Sequence, residues 1–271
     1  MEKQEIEDIE QRMLLDIIYQ RHGYDFREYS KASYTRRIQA FLQKEGYASI
    51  SHLFPALLYD EDFFQTFLSN TLVSVTEFFR DPRFFHAFIK EVLPILQTYP
   101  YIKIWHAGCA SGEEVYSMAI LLKEYGLTHK VLLYGTDINE KSLATARAGI
   151  YRLQDIEKVQ SRYLASGGRG AFSNYYVQKY EHIKIHDSLR ENIVFASHNL
   201  QCDGVFADMH VVICRNVFIY FKKPLQQLVL DLFDKSLISR GFLCLGDKEI
   251  IEAASFDQVC REEKIYRKKH G

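Results

Sequence analysis

Glu113 and Glu114 stand directly behind the second glycine of the stretch Gly108-Cys109-Ala110-Ser111-Gly112. Glycines at a strand-to-helix turn describe a dinucleotide or phosphate loop as well, and a G-x-x-x-G spacing alone is weak evidence. The two carboxylates narrow the choice. No Lys follows, as it would in a phosphate-binding P-loop, and the pair would repel a pyrophosphate, so the ligand near this loop is neutral or cationic. Further on, Asp137 ends the run LYGTDIN, where a carboxylate can take both hydroxyls of a ribose. A nucleoside carrying a positive charge and an ammonium group meets both conditions, and S-adenosylmethionine is such a molecule. The plainer reading of Glu113 is that it complements a helix dipole, worth about 0.3–1 kcal/mol.

Other chemistry-bearing side chains do not assemble into a known pattern. The five cysteines (Cys109, Cys202, Cys214, Cys244, Cys260) are odd in number, widely spread and without a C-x-x-C pair, which argues against a disulfide framework and against zinc. His106 and His198 lack metal-ligand spacing and read as hydrogen-bonded wall residues at strand ends. Cys109 and Cys214, next to the loop and a later motif, read as small packing residues rather than nucleophiles.

The elements that must carry these residues follow from periodicity. From Glu5 to about Phe67 apolar residues recur at three- and four-residue steps (Ile6, Ile9, Met13, Leu14, Ile17, Ile18, then Ile38, Phe41, Leu42, then Leu53, Leu57, Leu58), which predicts a small helical domain. Residues 77–97 predict two linking helical segments, with Asp81 as N-cap, Pro82 in the first turn and Pro94 as a bend or stop. Beyond Pro100, short apolar runs (YIKIWHA, VLLYGTD, NIVFASHN, MHVVICRN, FLCLG) alternate with helices near 113–125, 140–147 and 224–236, the pattern of a mostly parallel sheet with crossover helices. Residues 165–192, rich in Gly and Tyr, read as a small antiparallel insertion or a long ordered loop. The expected division is 1–75 for the helical domain and 76–271 for the α/β domain, with 76–100 as linking helices.

With 34 Lys+Arg against 35 Asp+Glu the net charge is -1, so no global field points to nucleic acid or an anionic membrane. The charged first residues lack the apolar core of a signal peptide, and no run approaches the roughly 18 apolar residues that cross a bilayer. A cytoplasmic protein with reduced cysteines is expected.

The segments SVTEFFRDP (74–82), GCASGEEVYSMA (108–119), TDIN (136–139), ARAGIY (146–151) and CRNVFIYF (214–221) resemble the CheR family of chemotaxis-receptor glutamate methyltransferases, in order and over nearly the whole chain. The resemblance implies an α/β fold: a helical amino-terminal domain, then a doubly wound, Rossmann-like methyltransferase domain with a small β insertion. It implies cofactor contacts at Ser74, Thr76, Arg80, Gly108, Glu114, Asp137, Asn199, Leu200, Arg215 and Asn216, with S-adenosylhomocysteine as product and no metal. Arg80 and Tyr220 would stand beside the transferring methyl as catalytic residues. The bland readings are an ion pair of Arg80 with Asp81 or Glu77, and a Tyr220 hydroxyl that caps a backbone group. Arg36 and Arg37, on a basic stretch with Lys31 and Lys44, become candidates to steer the acidic helical region of a methyl-accepting receptor. Two departures stand out: Ser74 replaces the family's usual Asn, and Gly246-Asp247-Lys248-Glu249 replaces its common Gly-His-Ser-Glu. Two alternatives remain open: a non-catalytic S-adenosylmethionine-binding scaffold or sensor, and a small-molecule methyltransferase of the same fold.

Overall fold

A computed structural model describes residues 3–72, 76–152, 155–251 and 254–270. The chain divides into two compact units, Met1–Ser74 with Ile219–Leu228, and Val75–Phe218 with Val229–Gly271. The segment 219–228, expected inside the α/β domain, thus packs with the helical residues: the Ser30 N–H donates to the Tyr220 carbonyl at 2.7 Å, and the Tyr29 ring meets Phe221 edge-on.

In the first unit, helices α1 (Lys3–His22), α2 (Lys31–Glu45), α3 (Phe54–Tyr59) and α4 (Glu61–Thr71) enclose an apolar core. Leu14, Ile18, Tyr34, Ile38, Phe41, Leu42, Leu53, Leu57, Phe64 and Phe67 are buried, so most of the predicted stripe points inward, whereas Ile6 and Met13 face solvent. Helix α2 ends at Gly46 with φ of 77°, a left-handed cap that only glycine adopts without strain. Asp60 caps α4 by accepting from the Phe63 N–H at 2.9 Å.

The second unit opens with α5 (Pro82–Ala87), a π-helical turn (Phe88–Val92) and α6 (Leu93–Leu96). Residues 77–80 are not helical, so only one of the two predicted linking helices forms. Pro94 is absorbed next to the π-turn, where the ladder is already offset, rather than ending the helix.

Seven strands form the main sheet in the order β6-β2-β1-β7-β8-β10-β9. Their ranges are β1 Ile102–Ala107, β2 Val131–Asp137, β6 Ile193–Ser197, β7 Met209–Cys214, β8 Leu237–Leu245, β9 Phe256–Cys260 and β10 Ile265–Lys268. The first five are parallel, and β10 and β9 close the edge antiparallel. Helices α7 (Glu113–Glu124) and α8 (Glu140–Ala148) supply crossovers, and α10 (Lys223–Ser236) leads into β8. Strand β1 pairs with β2 on one side and β7 on the other, a reversal of strand order that opens a crevice at the carboxyl ends.

A separate three-stranded antiparallel sheet, β3-β5-β4, is made by β3 (Ile150–Arg152), β4 (Tyr176–Lys179) and β5 (His182–Ile185). It begins earlier than the predicted insertion, because Ile150–Arg152 supplies one edge and helix α9 (Ile156–Ala165) intervenes. Glu124, at the end of α7, anchors this region by accepting from the Tyr163 and Tyr175 hydroxyls and from the Arg169 N–H.

Candidate active site

Strand register brings the predicted residues together. Ala107 pairs with Thr136, Asp137 with Ser197, and Cys214 with Leu245, so the carboxyl ends of β1, β2, β6, β7 and β8 lie along one edge. Gly108, Asp137, Asn199, Arg215 and Gly246 each sit at or just past one of those ends.

The glycine loop is held from several sides. The N–H groups of Gly108 and Cys109 both donate to the Thr136 carbonyl, at 2.8 and 2.9 Å, and the Tyr151 hydroxyl donates to the Ser111 carbonyl at 2.6 Å. Gly108 and Gly112 have φ of 76° and 90°. A Cβ on Gly108 would meet Val217 Cγ2 at 2.6 Å, and one on Gly112 would meet Ala146 Cβ at 2.8 Å. Glycine is therefore required here by left-handed backbone and by packing against side chains.

Asp137 ties the second strand to this loop. One carboxylate oxygen accepts from the Ala110 N–H at 2.8 Å and the other from the Asn139 N–H at 2.9 Å. Burial pushes its carboxyl up, with backbone N–H groups pulling the other way. A carboxylate has about four acceptor positions, so each oxygen retains capacity for a further donor.

Glu114 lies in the first turn of α7 between two partners. His106 Nδ1 is 3.0 Å from one oxygen, and Arg215 donates to the other at 2.7 Å. Burial raises the Glu114 carboxyl, but Arg215 and His106 more than offset this and hold it below the usual range. Arg215 is almost fully buried; its second guanidinium nitrogen donates to Asp81 at 2.7 Å, and its Cζ lies 4.1 Å from the centroid of the Phe84 ring. Asp81 is the residue before α5, as expected, but its side chain makes no capping bond; φ of 54° turns it toward Arg215.

Arg80 is half-exposed with Nε 3.9 Å from Asp81, while Glu77 pairs with Arg162. The ion pair weighed for Arg80 is thus present only loosely, on a carboxylate already engaged by Arg215. Thr76 is half-buried and Leu200 buried. The Asn199 side chain accepts from the Gln201 N–H at 3.0 Å. Asn216 follows Arg215 with φ of 62°. Tyr220, half-buried in a short turn of the first unit, offers its carbonyl to Ser30. Ser74 lies outside the described residues. In the basic stretch of α2, Arg36 is exposed, Lys31 pairs with Asp8, Lys44 bonds Asn70, and Arg37 donates to the Leu72 carbonyl at 3.1 Å.

Of the departing Gly246-Asp247-Lys248-Glu249 segment, Asp247 and Lys248 are exposed, whereas Gly246 and Glu249 are buried. The changed positions are those that face water. Among the described residues no group of three or more His, Cys, Asp and Glu is arranged to hold a metal, and no helix is long and apolar enough to cross a membrane.

Residues 74–265 match the model of the CheR methyltransferase SAM-binding domain, and residues 9–71 match that of the CheR methyltransferase all-alpha domain. The chain belongs to the CheR methyltransferase family. It is 44% identical to a Pseudomonas putida protein named "Putative methyltransferase Cher3", covering 96% of this chain and 97% of that protein. The chemotaxis protein methyltransferase of Listeria monocytogenes is 30% identical over 84% of this chain and 85% of its own length. That of Salmonella typhimurium is 25% identical over 95% and 87%. The α/β domain is therefore a SAM-binding methyltransferase domain. Its residues fit such a ligand: Asp137 keeps free acceptor capacity, and the buried Nε of Arg215 and Nε2 of His106 have no hydrogen-bond partner.

His106 and Asp81 are the residues whose part the sequence understated. His106 was legible only as a wall residue, and Asp81 only as a helix cap. What joins them is contact with the Glu114–Arg215 pair, His106 at one end and Asp81 at the other, which appears only once β1, α5 and β7 are adjacent.

Proposed function

We propose that this protein transfers the methyl group of S-adenosylmethionine to glutamate side chains of methyl-accepting chemotaxis receptors or related signalling proteins, in the cytoplasm. The products are S-adenosylhomocysteine and a glutamate methyl ester. The observation that carries this reading is the placement of Asp137 at the end of β2 and of Glu114 in the first turn of α7, just past the loop that follows the adjacent β1, in a chain whose relatives include chemotaxis protein methyltransferases. Asp137 takes the ribose hydroxyls, and Glu114, Asn199, Leu200, Arg215 and Asn216 line the remainder of the cofactor site, with Thr76, Arg80 and Ser74 contributing from the segment before α5.

When bound, the cofactor supplies an electrophilic sulfonium methyl. A glutamate carboxylate oxygen would accept that methyl, its new C–O bond replacing the C–S bond, whose electron pair would stay on sulfur. The nucleophile is already ionised at neutral pH, with an ordinary pKa of about 4.3, so no general base and no metal are needed. The protein's task is alignment and exclusion of water. Arg80 holds the acceptor carboxylate through its forked guanidinium, and Tyr220 orients an oxygen through its hydroxyl. Exposed Arg36, with Arg37, steers the acidic helical region of the receptor.

The deciding experiment incubates the protein with methyl-labelled cofactor and receptor-bearing membranes, then treats the product with base. Label released as methanol supports a glutamate ester. Label that resists base overturns it, and cofactor binding without transfer to any receptor would favour a scaffold.

A further inference from the structure

Cys214 and Leu245 are partners in the parallel pairing of β7 and β8, and the backbone leaves both strands within two residues. Just past these ends a buried carboxylate joins the two chains. Glu249 is 3% exposed, and one of its oxygens accepts from both the Asn216 N–H at 3.0 Å and the Gly246 N–H at 2.6 Å. The Glu249 N–H in turn donates to the Gly246 carbonyl at 2.9 Å, closing a tight turn.

Two features show how closely this clasp is fitted. Asn216 holds φ of 62°, a left-handed conformation uncommon for a residue with a side chain, although Asn adopts it more readily than most. A Cβ at Gly246 would meet the Glu249 oxygen at 2.8 Å and both the backbone nitrogen and the side-chain amide nitrogen of Asn216 at 3.0 Å. Gly246 thus lets Glu249 reach Asn216, and Glu249 supplies the acceptor that holds the left-handed backbone in place. Charge-assisted bonds from a carboxylate to N–H groups are roughly twice as strong as neutral ones.

We propose that Glu249 is a positioning residue for methyl transfer: by fixing the backbone of Asn216 it sets the direction of the Asn216 side chain toward the cofactor. This rests on the assignment of Asn216 to the cofactor site made above. Glu249 itself need not touch the ligand.

The test titrates S-adenosylhomocysteine into the full-length protein by calorimetry, for the wild type, Glu249→Gln, Glu249→Ala, Asn216→Ala and the double variant Glu249→Gln with Asn216→Ala. Glutamine keeps the size and one accepting oxygen but loses the charge, so affinity should fall about three- to tenfold, and alanine should cost more, about ten- to a hundredfold. If Glu249 acts through Asn216, the glutamine change should cost less than about twofold once Asn216 is alanine, which a purely structural contribution would not produce. Glu249→Gln with wild-type affinity, or with an equal loss in the Asn216→Ala background, overturns the proposal. Should Glu249→Ala fail to fold, the glutamine cycle still decides. A wild type that does not bind the probe would instead overturn the cofactor reading itself, and Asn216→Ala binding as tightly as wild type would remove Asn216 from the site and the proposal with it.

Discussion

Arg215 places one guanidinium nitrogen 2.7 Å from Glu114 and another 2.7 Å from Asp81, so a single buried cation joins the first turn of α7 to the residue before α5. Removing it leaves Glu114 charged and enclosed without its main partner. Arg215→Met is expected to destabilise the protein by about 3 kcal/mol, the usual scale for breaking a buried pair. Asp81→Asn should cost about 1 kcal/mol or less, because Asp81 is 42% exposed and water screens its charge. Urea denaturation of both variants checks this order, and equal losses would mean that Asp81 rather than Glu114 carries the pairing.

Asp137→Ala is expected to weaken S-adenosylhomocysteine binding by one to two decades, the equivalent of about 1.5–3 kcal/mol in lost charge-assisted bonds. The same change strips the acceptor from the Ala110 and Asn139 N–H groups, so the urea midpoint should fall as well. Calorimetry beside denaturation separates the two effects. A destabilised variant with unchanged affinity would confine Asp137 to a structural role.

Glu113 gives the stability a pH dependence of definite sign. Burial pushes its carboxyl up to about 7, partly opposed by the Ser111 hydroxyl and added to by Glu77. The folded state therefore holds a proton that the unfolded chain releases near 4.5, and stability falls as pH rises through the interval from 4.5 to 7. Glu113→Gln should remove that slope. Melting temperatures at pH 5, 6, 7 and 8 should show the variant gaining on the wild type as pH rises, and parallel curves would refute the assignment.

Gly108→Ala is expected to cost about 2–3 kcal/mol, combining left-handed backbone strain with a Cβ placed 2.6 Å from Val217. Adding Val217→Ala should recover the steric share and leave the backbone share, roughly 1 kcal/mol. Thermal melts of the single and double variants measure this, and a double variant no better than Gly108→Ala alone would place the whole cost in the backbone.

Much of this was legible in the sequence because it depends on local pattern. The glycine loop, the strand ending at Asp137 and the helical spacing of Ile38, Phe41 and Leu42 are each set by neighbours along the chain, and the family segments place them in order. What escaped is non-local. The hairpin of β9 and β10 has few apolar residues, and its pairing with β8 is visible only in three dimensions. Asp81 was readable as a helix cap because capping is a local event, whereas its bond to Arg215 spans more than a hundred residues. The packing at Gly108 is non-local likewise: spacing reveals the glycine, but the side chain that a Cβ would meet, Val217, comes from just past the carboxyl end of the neighbouring β7.

The order of the last three strands bears on how the chain can be completed. β10 lies between β8 and β9, although it follows both along the chain. Until Ile265–Lys268 docks, β8 keeps an unpaired edge and β9 has no neighbour in the sheet. Any state in which Ile265–Lys268 is undocked therefore carries an open sheet edge, and that edge lies on β8, one of the strands whose carboxyl ends border the crevice.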